Sequence, residues 1–450
     1  MKSLYNILFT LLFWLSTPYY FLRMWRRGHW RHGFSQRFGR YNSKLKQAIT
    51  NRHILWIHAV SVGEVNVSTQ LIKALEIRLP NLKIVVSTTT STGMQELHRK
   101  LPSHVEKIYY PIDRRGYVNR AIATMHPEAI VLVEAEIWPN FLWRASEAGI
   151  PTFLINARLS EKSFRGYKRF GFLFRKVFAS FSGVGCQIPE DAERLRQLGC
   201  RPEVIQVVGS LKFDAAKLEE RRLLNVPALL EQLAFPEDAL LLVGGSTHAG
   251  EEAILAEAFL RLRARLPNLF LVLVPRHFER GKEVGRELSS RGVRFAYRSE
   301  VGINSRYKPG EVDCLLVNTT GELKYFYEHA SVIFVGKSLT AEGGQNPIEP
   351  GALGKPMVFG PNMQNFEAIS QAFLARHAAI QVKDKHELET VLGELLSDPK
   401  RAAHLGFNAL GVVRENLGAI ERTLDMIVTH LQGSEVYIAP KRPLPGTPGL

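Results

Sequence analysis

Eleven unbroken apolar, β-rich runs, separated by helical stretches, constrain this chain more than any other feature. Six occupy the first half: ILWIHAV (54–60), KIVVST (83–88), AIVLVEA (129–135), TFLIN (152–156), SGVGCQ (182–187) and VIQVVG (204–209). Five repeat the scheme in the second half: ALLLVGG (239–245), LFLVLVP (269–275), DCLLVN (313–318), VIFVG (332–336) and KPMVFG (355–360). A strand with one face in water alternates apolar and polar residues, whereas a strand covered by helices on both faces reads as a continuous apolar run. The pattern predicts parallel sheets in an α/β fold. No such run occurs around 212–236, which is charged and helical in pattern. Two doubly wound parallel-sheet domains facing a cleft follow, spanning 25–215 and 237–432 with a linker over 216–236. A chain of 450 residues is large enough for two cores. The end, 433–450, is rich in Pro and Gly and is expected to be disordered.

The N-terminal segment has a different character. Residues 4–22, LYNILFTLLFWLSTPYYFL, are almost all apolar or aromatic, and residues 1–63 carry ten Lys or Arg and no acid. The whole chain is +15, so the remainder is only +5 (15 − 10). An apolar end beside a basic one suggests an anionic membrane rather than nucleic acid. Residues 1–24 are therefore expected to form a membrane anchor helix, spanning the bilayer or lying in its interface. The downstream cations would keep the body on the cytoplasmic side. The three cysteines, Cys186, Cys200 and Cys314, fit no zinc or disulfide spacing and read as reduced and structural.

Ligands of open α/β sheets bind beyond the carboxyl ends of the strands, and polar clusters stand at several strand ends. In the first half these are SVGE (61–64), STTTSTG (87–93), EAEIWPN (134–140) and GSLKFD (209–214). In the second they are GGSTHAGEE (244–252), PRHFER (275–280), TTGEL (319–323) and EGGQNPIEP (342–350). The chain lacks the dinucleotide fingerprint, the P-loop and the nucleophile elbow. It also lacks an Asp-x-Asp pair, so no metal clamp for a diphosphate donor is visible and no cofactor is implied. What remains suits a nucleotide-activated substrate. Gly, Ser and Thr precede a helix in GGSTHAGEE, as an anion site requires. Arg276 can meet a phosphate or a base edge, and Asn346 and Glu349 can bond ribose hydroxyls. Each has a plainer reading. Asn346 can be a helix cap, with Pro347 opening the helix, and Glu251 and Glu252 can be first-turn helix charges.

These motifs, with HAVSVGE, NARLS and GPNMQNF, occur in the order found in the lipid A Kdo transferases, which the chain resembles from its N-terminus to about residue 430. Kdo is 3-deoxy-D-manno-octulosonic acid. The resemblance implies a GT-B glycosyltransferase fold and an inverting, metal-independent transfer of Kdo from CMP-Kdo. The acceptor would be lipid IVA, the tetraacyl disaccharide bisphosphate precursor of lipid A, at the cytoplasmic face of the inner membrane. It implies that Glu64 is the general base and that Glu134 and Lys212 stabilise the transition state. It assigns CMP contacts to Pro275 and Arg276, to Thr320, Gly321 and Glu322, and to Asn346, Pro347, Ile348 and Glu349. Three positions depart from the family pattern. Ala135 replaces a Thr, Asn318 an Asp and Gln345 a His, which bears on donor affinity more than on reaction type.

Glu64 is the first acidic residue of the chain. Gly63 before it is expected to allow a tight strand-to-helix turn, and the helix N-terminus to favour the ionised carboxylate. Two competing readings remain. One is another GT-B enzyme with a different nucleotide sugar, including an epimerase, which needs no anchor. The other is a non-catalytic membrane-surface protein of this fold, which would need neither Glu64 nor Lys212.

Overall fold

The computed structural model describes residues 2–26, 33–134, 136–215, 224–431 and 436–439. The described chain divides into two compact units, 1–215 with 418–450, and 216–417.

The first unit is built on seven parallel strands: β1 (His53–His58), β2 (Leu82–Thr88), β3 (Glu106–Tyr109), β4 (Pro127–Val133), β5 (Thr152–Ala157), β6 (Gly183–Cys186) and β7 (Ile205–Val207). They lie in the order β3-β2-β1-β4-β5-β6-β7. Strand β1 is central, with Trp56 opposite Val85 on one side and Ile130 on the other. Its residues show why the apolar runs are unbroken. Ile54 and Trp56 enter one core with Phe141 and Phe178, while Leu55 and Ile57 enter another with Leu71 and Phe153. Both faces are covered, so neither set of positions can be polar.

The second unit repeats the plan with β8 (Leu240–Thr247), β9 (Leu269–Pro275), β10 (Phe295–Tyr297), β11 (Cys314–Leu316), β12 (Val332–Val335), β13 (Met357–Phe359) and β14 (Ile380–Gln381). The order is β10-β11-β9-β8-β12-β13-β14, again with all pairs parallel. All eleven expected runs contain a strand. The three strands not expected, β3, β10 and β14, are sheet edges.

The domain limits differ from the expected ones. The helix Ala419–Leu431 does not belong with the second unit but packs Leu424, Met426 and Ile427 into a core of the first. Of the expected linker, 216–223 lies outside the described residues. The part that follows is a packed helix, Val226–Gln232, with Leu229 buried. The expected disordered tail lies mostly outside the described residues. Within it Val436 is buried in the first unit, and the Ala439 N–H donates to the Arg78 carbonyl at 2.8 Å.

The N-terminal segment is a helix, Lys2–Arg26, with Pro18 inside it. Of the two expected placements, the membrane span is corrected: no described helix is long and apolar enough to cross one. Asn6, Thr10, Ser16 and Thr17 interrupt its apolar character. Ser16 and Thr17 return their hydroxyls to the Phe13 carbonyl. The three cysteines are buried and free.

Candidate active site

The strand order of the first sheet reverses between β1 and β4, the place where open α/β sheets form ligand crevices. The segments after β1 and β4 carry Glu64 and Glu134, and the short helix Leu211–Ala215 after β7 carries Lys212.

Ser61 caps the helix Val62–Arg78, accepting from the Glu64 N–H at 3.2 Å. The Glu64 side chain turns back and accepts the Val60 N–H at 2.7 Å through Oε2. This resembles a capping box, so the plainer helix-steadying role is present. It occupies one oxygen only, and Oε1 has no hydrogen-bond partner among the described residues. The expected preference for the ionised form is not what the site produces. Burial pushes the carboxyl up to about 7, and the charges of Glu134 and Glu136 push the same way against the Val60 and Ser61 hydrogen bonds. Desolvation outweighs the helix terminus. Gly63 is not a turn residue either. It lies inside the helix, and a Cβ there would meet nothing closer than the Ser61 Oγ at 3.7 Å.

Glu134 ends β4 in the left-handed region, with φ 62, which is uncommon for a residue with a side chain. Its N–H is held by the Ile155 carbonyl at 2.9 Å. Ala135 lies outside the described residues. Lys212 feels attraction from Glu134 and Glu64 and repulsion from Arg158, and burial, the largest influence, lowers its pKa. Glu64, Glu134 and Lys212 are thus coupled in one partly desolvated cluster.

Three residues that support this cluster escaped the sequence reading. Asn156 is fully buried and left-handed, with φ 50. Its Nδ2 donates to Glu134 Oε1 at 3.4 Å, and its Oδ1 accepts the Leu211 N–H at 3.1 Å. It ties the Glu134 turn to the segment that bears Lys212. Asp214 holds the other end of that segment, accepting the N–H groups of Gly418 and Ile420 at 2.8 and 2.7 Å. Glu136 accepts the Trp138 Nε1–H at 2.9 Å and is raised by burial. For Asn156 the signal was available in NARLS, because Asn is among the side-chain residues that most readily take a left-handed turn; the long-range partners of Asp214 leave no such mark. His58 is no base. It is buried, stacked on Tyr110 at 3.9 Å and pushed down to about 3 by burial.

In the second unit the expected nucleotide residues follow β9, β11 and β12. Pro275 closes β9 beside Thr247, and Arg276 beyond it is exposed. Thr320 and Gly321 are exposed in the loop after β11, Gly321 with φ 83, and Glu322 accepts from the Thr319 hydroxyl at 2.7 Å. Gly343 and Gly344 take φ 121 and 70, a turn that favours glycine, and their N–H groups go to Gln364 Oε1 and the Lys337 carbonyl at 2.7 and 2.9 Å. Asn346 accepts the Ile348 N–H and donates to Glu349, both at 3.1 Å. It therefore caps the short helix Ile348–Ala352 from the position before Pro347. Burial raises Glu349, opposed by the Asn346 hydrogen bond and by Arg276 and Lys324. Asn318 exchanges two hydrogen bonds with Ser299, and Gln345 approaches His248 at 3.4 Å. Glu251 and Glu252 do lie in the first turn of the helix Glu251–Arg263, where both are fully buried. Glu252 pairs with Arg280 at 2.7 Å, and Glu251 accepts four backbone N–H groups. Among the described residues no three His, Cys, Asp or Glu side chains converge as a metal site would require.

Residues 32–215 match the family model described as 3-deoxy-D-manno-octulosonic-acid transferase (kdotransferase). A 3-deoxy-D-manno-octulosonic acid transferase of Bordetella pertussis is 34% identical over 424 residues, covering 91% of this chain and 96% of that protein. The chain belongs to the Kdo transferase family. A second such transferase, from Haemophilus influenzae, is 31% identical and covers 84% of this chain and 87% of its own length. Among solved structures, a putative UDP-N-acetylglucosamine 2-epimerase from Listeria monocytogenes superposes with a TM-score of 0.57 over 85% of this chain and 98% of that one, at 14% identity. That likeness places the Kdo transferase fold among the two-domain, GT-B-like folds. It speaks to fold alone, because fold does not carry chemistry.

Proposed function

We propose that this glycosyltransferase of the Kdo transferase family moves Kdo from CMP-Kdo to lipid IVA with inversion at the transferred carbon. The observation that carries the reading is the coupled cluster of Glu64, Glu134 and Lys212 at the switch point of the first sheet. A sugar hydroxyl attacks poorly unless a base takes its proton during bond formation. Glu64 has an open oxygen and a proton affinity raised to about 7, close to what a general base at neutral pH needs. As the bond to CMP breaks, positive charge develops on the sugar and negative charge on the leaving phosphate. Glu134 offsets the first and Lys212 the second, from fixed positions in a partly desolvated site. The nucleotide is held in the second unit by Pro275 and Arg276, by Thr320 to Glu322, and by Asn346 to Glu349. No step of this scheme uses a metal ion, so EDTA should leave the rate unchanged, and a strict requirement for magnesium would overturn this account of the phosphate chemistry.

The first helix supports a place on the cytoplasmic face of the inner membrane. Leu4, Leu8, Leu11, Leu15 and Leu22 form an exposed apolar stripe, with Ile7, Trp14 and Trp25 beside it. Such a helix suits an interface rather than a span. Incubation of the full chain with CMP-Kdo and lipid IVA tests the function: CMP is released and the lipid gains the mass of Kdo. CMP release without a mass gain on lipid IVA overturns the acceptor assignment. Absence of both overturns the donor as well.

A further inference from the structure

A cationic cavity lies where the first helix meets the body of its unit. Near its start that helix bonds to the body of the unit. The Tyr5 hydroxyl donates to Asp113 at 2.7 Å, and its ring packs edge-on against Trp143. Asn6 exchanges hydrogen bonds with Asn140 at 3.2 and 3.0 Å. Asp113 is the keystone, since it also accepts the N–H groups of Asn140 and Phe141 and so caps the helix Pro139–Glu147. Beside this joint is a cavity of about 490 Å³. Lys2, Arg114, Arg115 and Arg144 line it, with Asn119 and a single carboxylate, Glu147. Four cations and one anion leave it at +3 (4 − 1). Lys2 and Arg144 both pair with Glu147, Arg144 through Nη1 at 3.8 Å, while the Nε of Arg144 is buried with no hydrogen-bond partner. Arg115 opens the helix Arg115–Met125, which has no side-chain cap and no acid in its first turn, so its terminal N–H groups add to the positive field.

We propose that this cavity binds the phosphodiester headgroup of an anionic membrane lipid. Two features on one element argue for a lipid. The face of the first helix at the cavity carries Lys2 and Asn6, while its exposed stripe, Leu4, Leu8, Leu11 and Leu15, is bare apolar surface. A headgroup in the cavity leaves its acyl chains to run along that stripe. Guanidinium groups and backbone N–H groups together match phosphate oxygens. The site fixes which face of the first unit meets the bilayer, and so deepens, and rests on, the interfacial reading of the first helix.

The test is vesicle binding by the full chain. Arg115→Glu is the principal variant, because an acid in the first turn suits the helix and leaves folding intact. The wild type binds phosphatidylglycerol vesicles more tightly than phosphatidylcholine vesicles. Each cation near such a surface contributes about fivefold, so the charge reversal weakens phosphatidylglycerol binding roughly 30-fold. Arg144→Ala, which removes the unpartnered Nε, weakens it about fivefold. Arg196→Glu, an exposed cation elsewhere on the unit, changes it less than Arg144→Ala does. If Arg115→Glu and Arg196→Glu weaken binding equally, or neither changes it, the site is overturned while the interfacial helix stands. If the wild type ignores both vesicles, the interfacial helix falls and the site with it. Inorganic phosphate should not release the protein from vesicles beyond the effect of sodium chloride at equal ionic strength. Specific release by phosphate would overturn the lipid as the source of the anion.

Discussion

Glu64 and Glu251 occupy matching places in the two units. Each lies in the first turn of the helix after the first strand in sequence of its sheet, β1 or β8, and each is buried. Their surroundings differ. Glu251 receives the N–H groups of His248, Lys337, Ser338 and Leu339, at 2.9, 2.7, 2.9 and 2.9 Å, and binds the loop after β12 to the loop after β8. Glu64 receives one, from Val60, and faces two further carboxylates. A buried carboxylate saturated with donors is a structural anion, whereas one left short of donors holds a proton and can exchange it. The same local sequence logic, an acid at a strand-to-helix turn, thus yields a loop clamp in one unit and a candidate base in the other.

Removing the proton acceptor from the first of the pair is the largest test. Glu64→Gln should fold, bind CMP and lose transfer by about a hundred- to ten-thousandfold. In the wild type kcat/KM should fall as pH drops below about 7, where Glu64 takes up its proton, and this limb should be missing from the residual activity of the variant. Transfer near the normal rate would make Glu64 a structural anion like its counterpart. Next in size is Lys212→Ala, which should lower turnover roughly a hundredfold with little change in CMP affinity. Unchanged turnover would remove it from the cluster.

The counterpart should fail differently. Glu251→Gln keeps the shape but weakens charge-assisted bonds to four N–H groups. A loss of about 2 kcal/mol, read as a lower urea midpoint, is expected, with turnover at saturating donor little affected. A collapse of turnover without loss of stability would reverse the comparison. Arg276→Ala, exposed in the same unit, should weaken CMP binding about tenfold and leave the urea midpoint unchanged. Titration of CMP against each free variant, beside its urea midpoint, checks the pair.

The contrast marks what the sequence could and could not disclose. Central strands were legible because burial on both faces leaves no room for polar residues, as Leu55, Trp56 and Ile57 show. Edge strands such as β10 and β14 have one neighbour, are short and lack that signature. The helix Ala419–Leu431 was assigned to the wrong unit because a chain crossing back leaves no local mark. The contact that returns it, Asp214 to Gly418 and Ile420, joins residues more than two hundred apart. The candidate site residues were named from their motifs, but the charge state of Glu64 was misjudged. A helix terminus is visible in the sequence. The number of donors reaching a buried carboxylate, and the nearness of Glu134 and Glu136, are not.

The smallest expected effect bears most directly on that misjudgement, because it needs no substrate. An unfolded chain ionises Glu64 near the ordinary carboxylate value of 4.5, while the folded chain holds the proton to about 7. Below 4.5 both states are protonated and Glu64 adds nothing to the pH dependence. Between 4.5 and 7 the unfolded state loses its proton first, so the folded state loses stability as pH rises. Above 7 the penalty is complete, at roughly 3 kcal/mol. Glutamine does not titrate and escapes this penalty, but its neutral bond to the Val60 N–H is weaker and its own N–H groups are buried, together costing about 2 kcal/mol. Glu64→Gln should therefore be about 1 kcal/mol more stable than the wild type at pH 8 and less stable at pH 5. Urea midpoints at the two pH values measure the difference. A difference that stays constant between pH 5 and 8 would mean that Glu64 is ionised in the folded protein throughout.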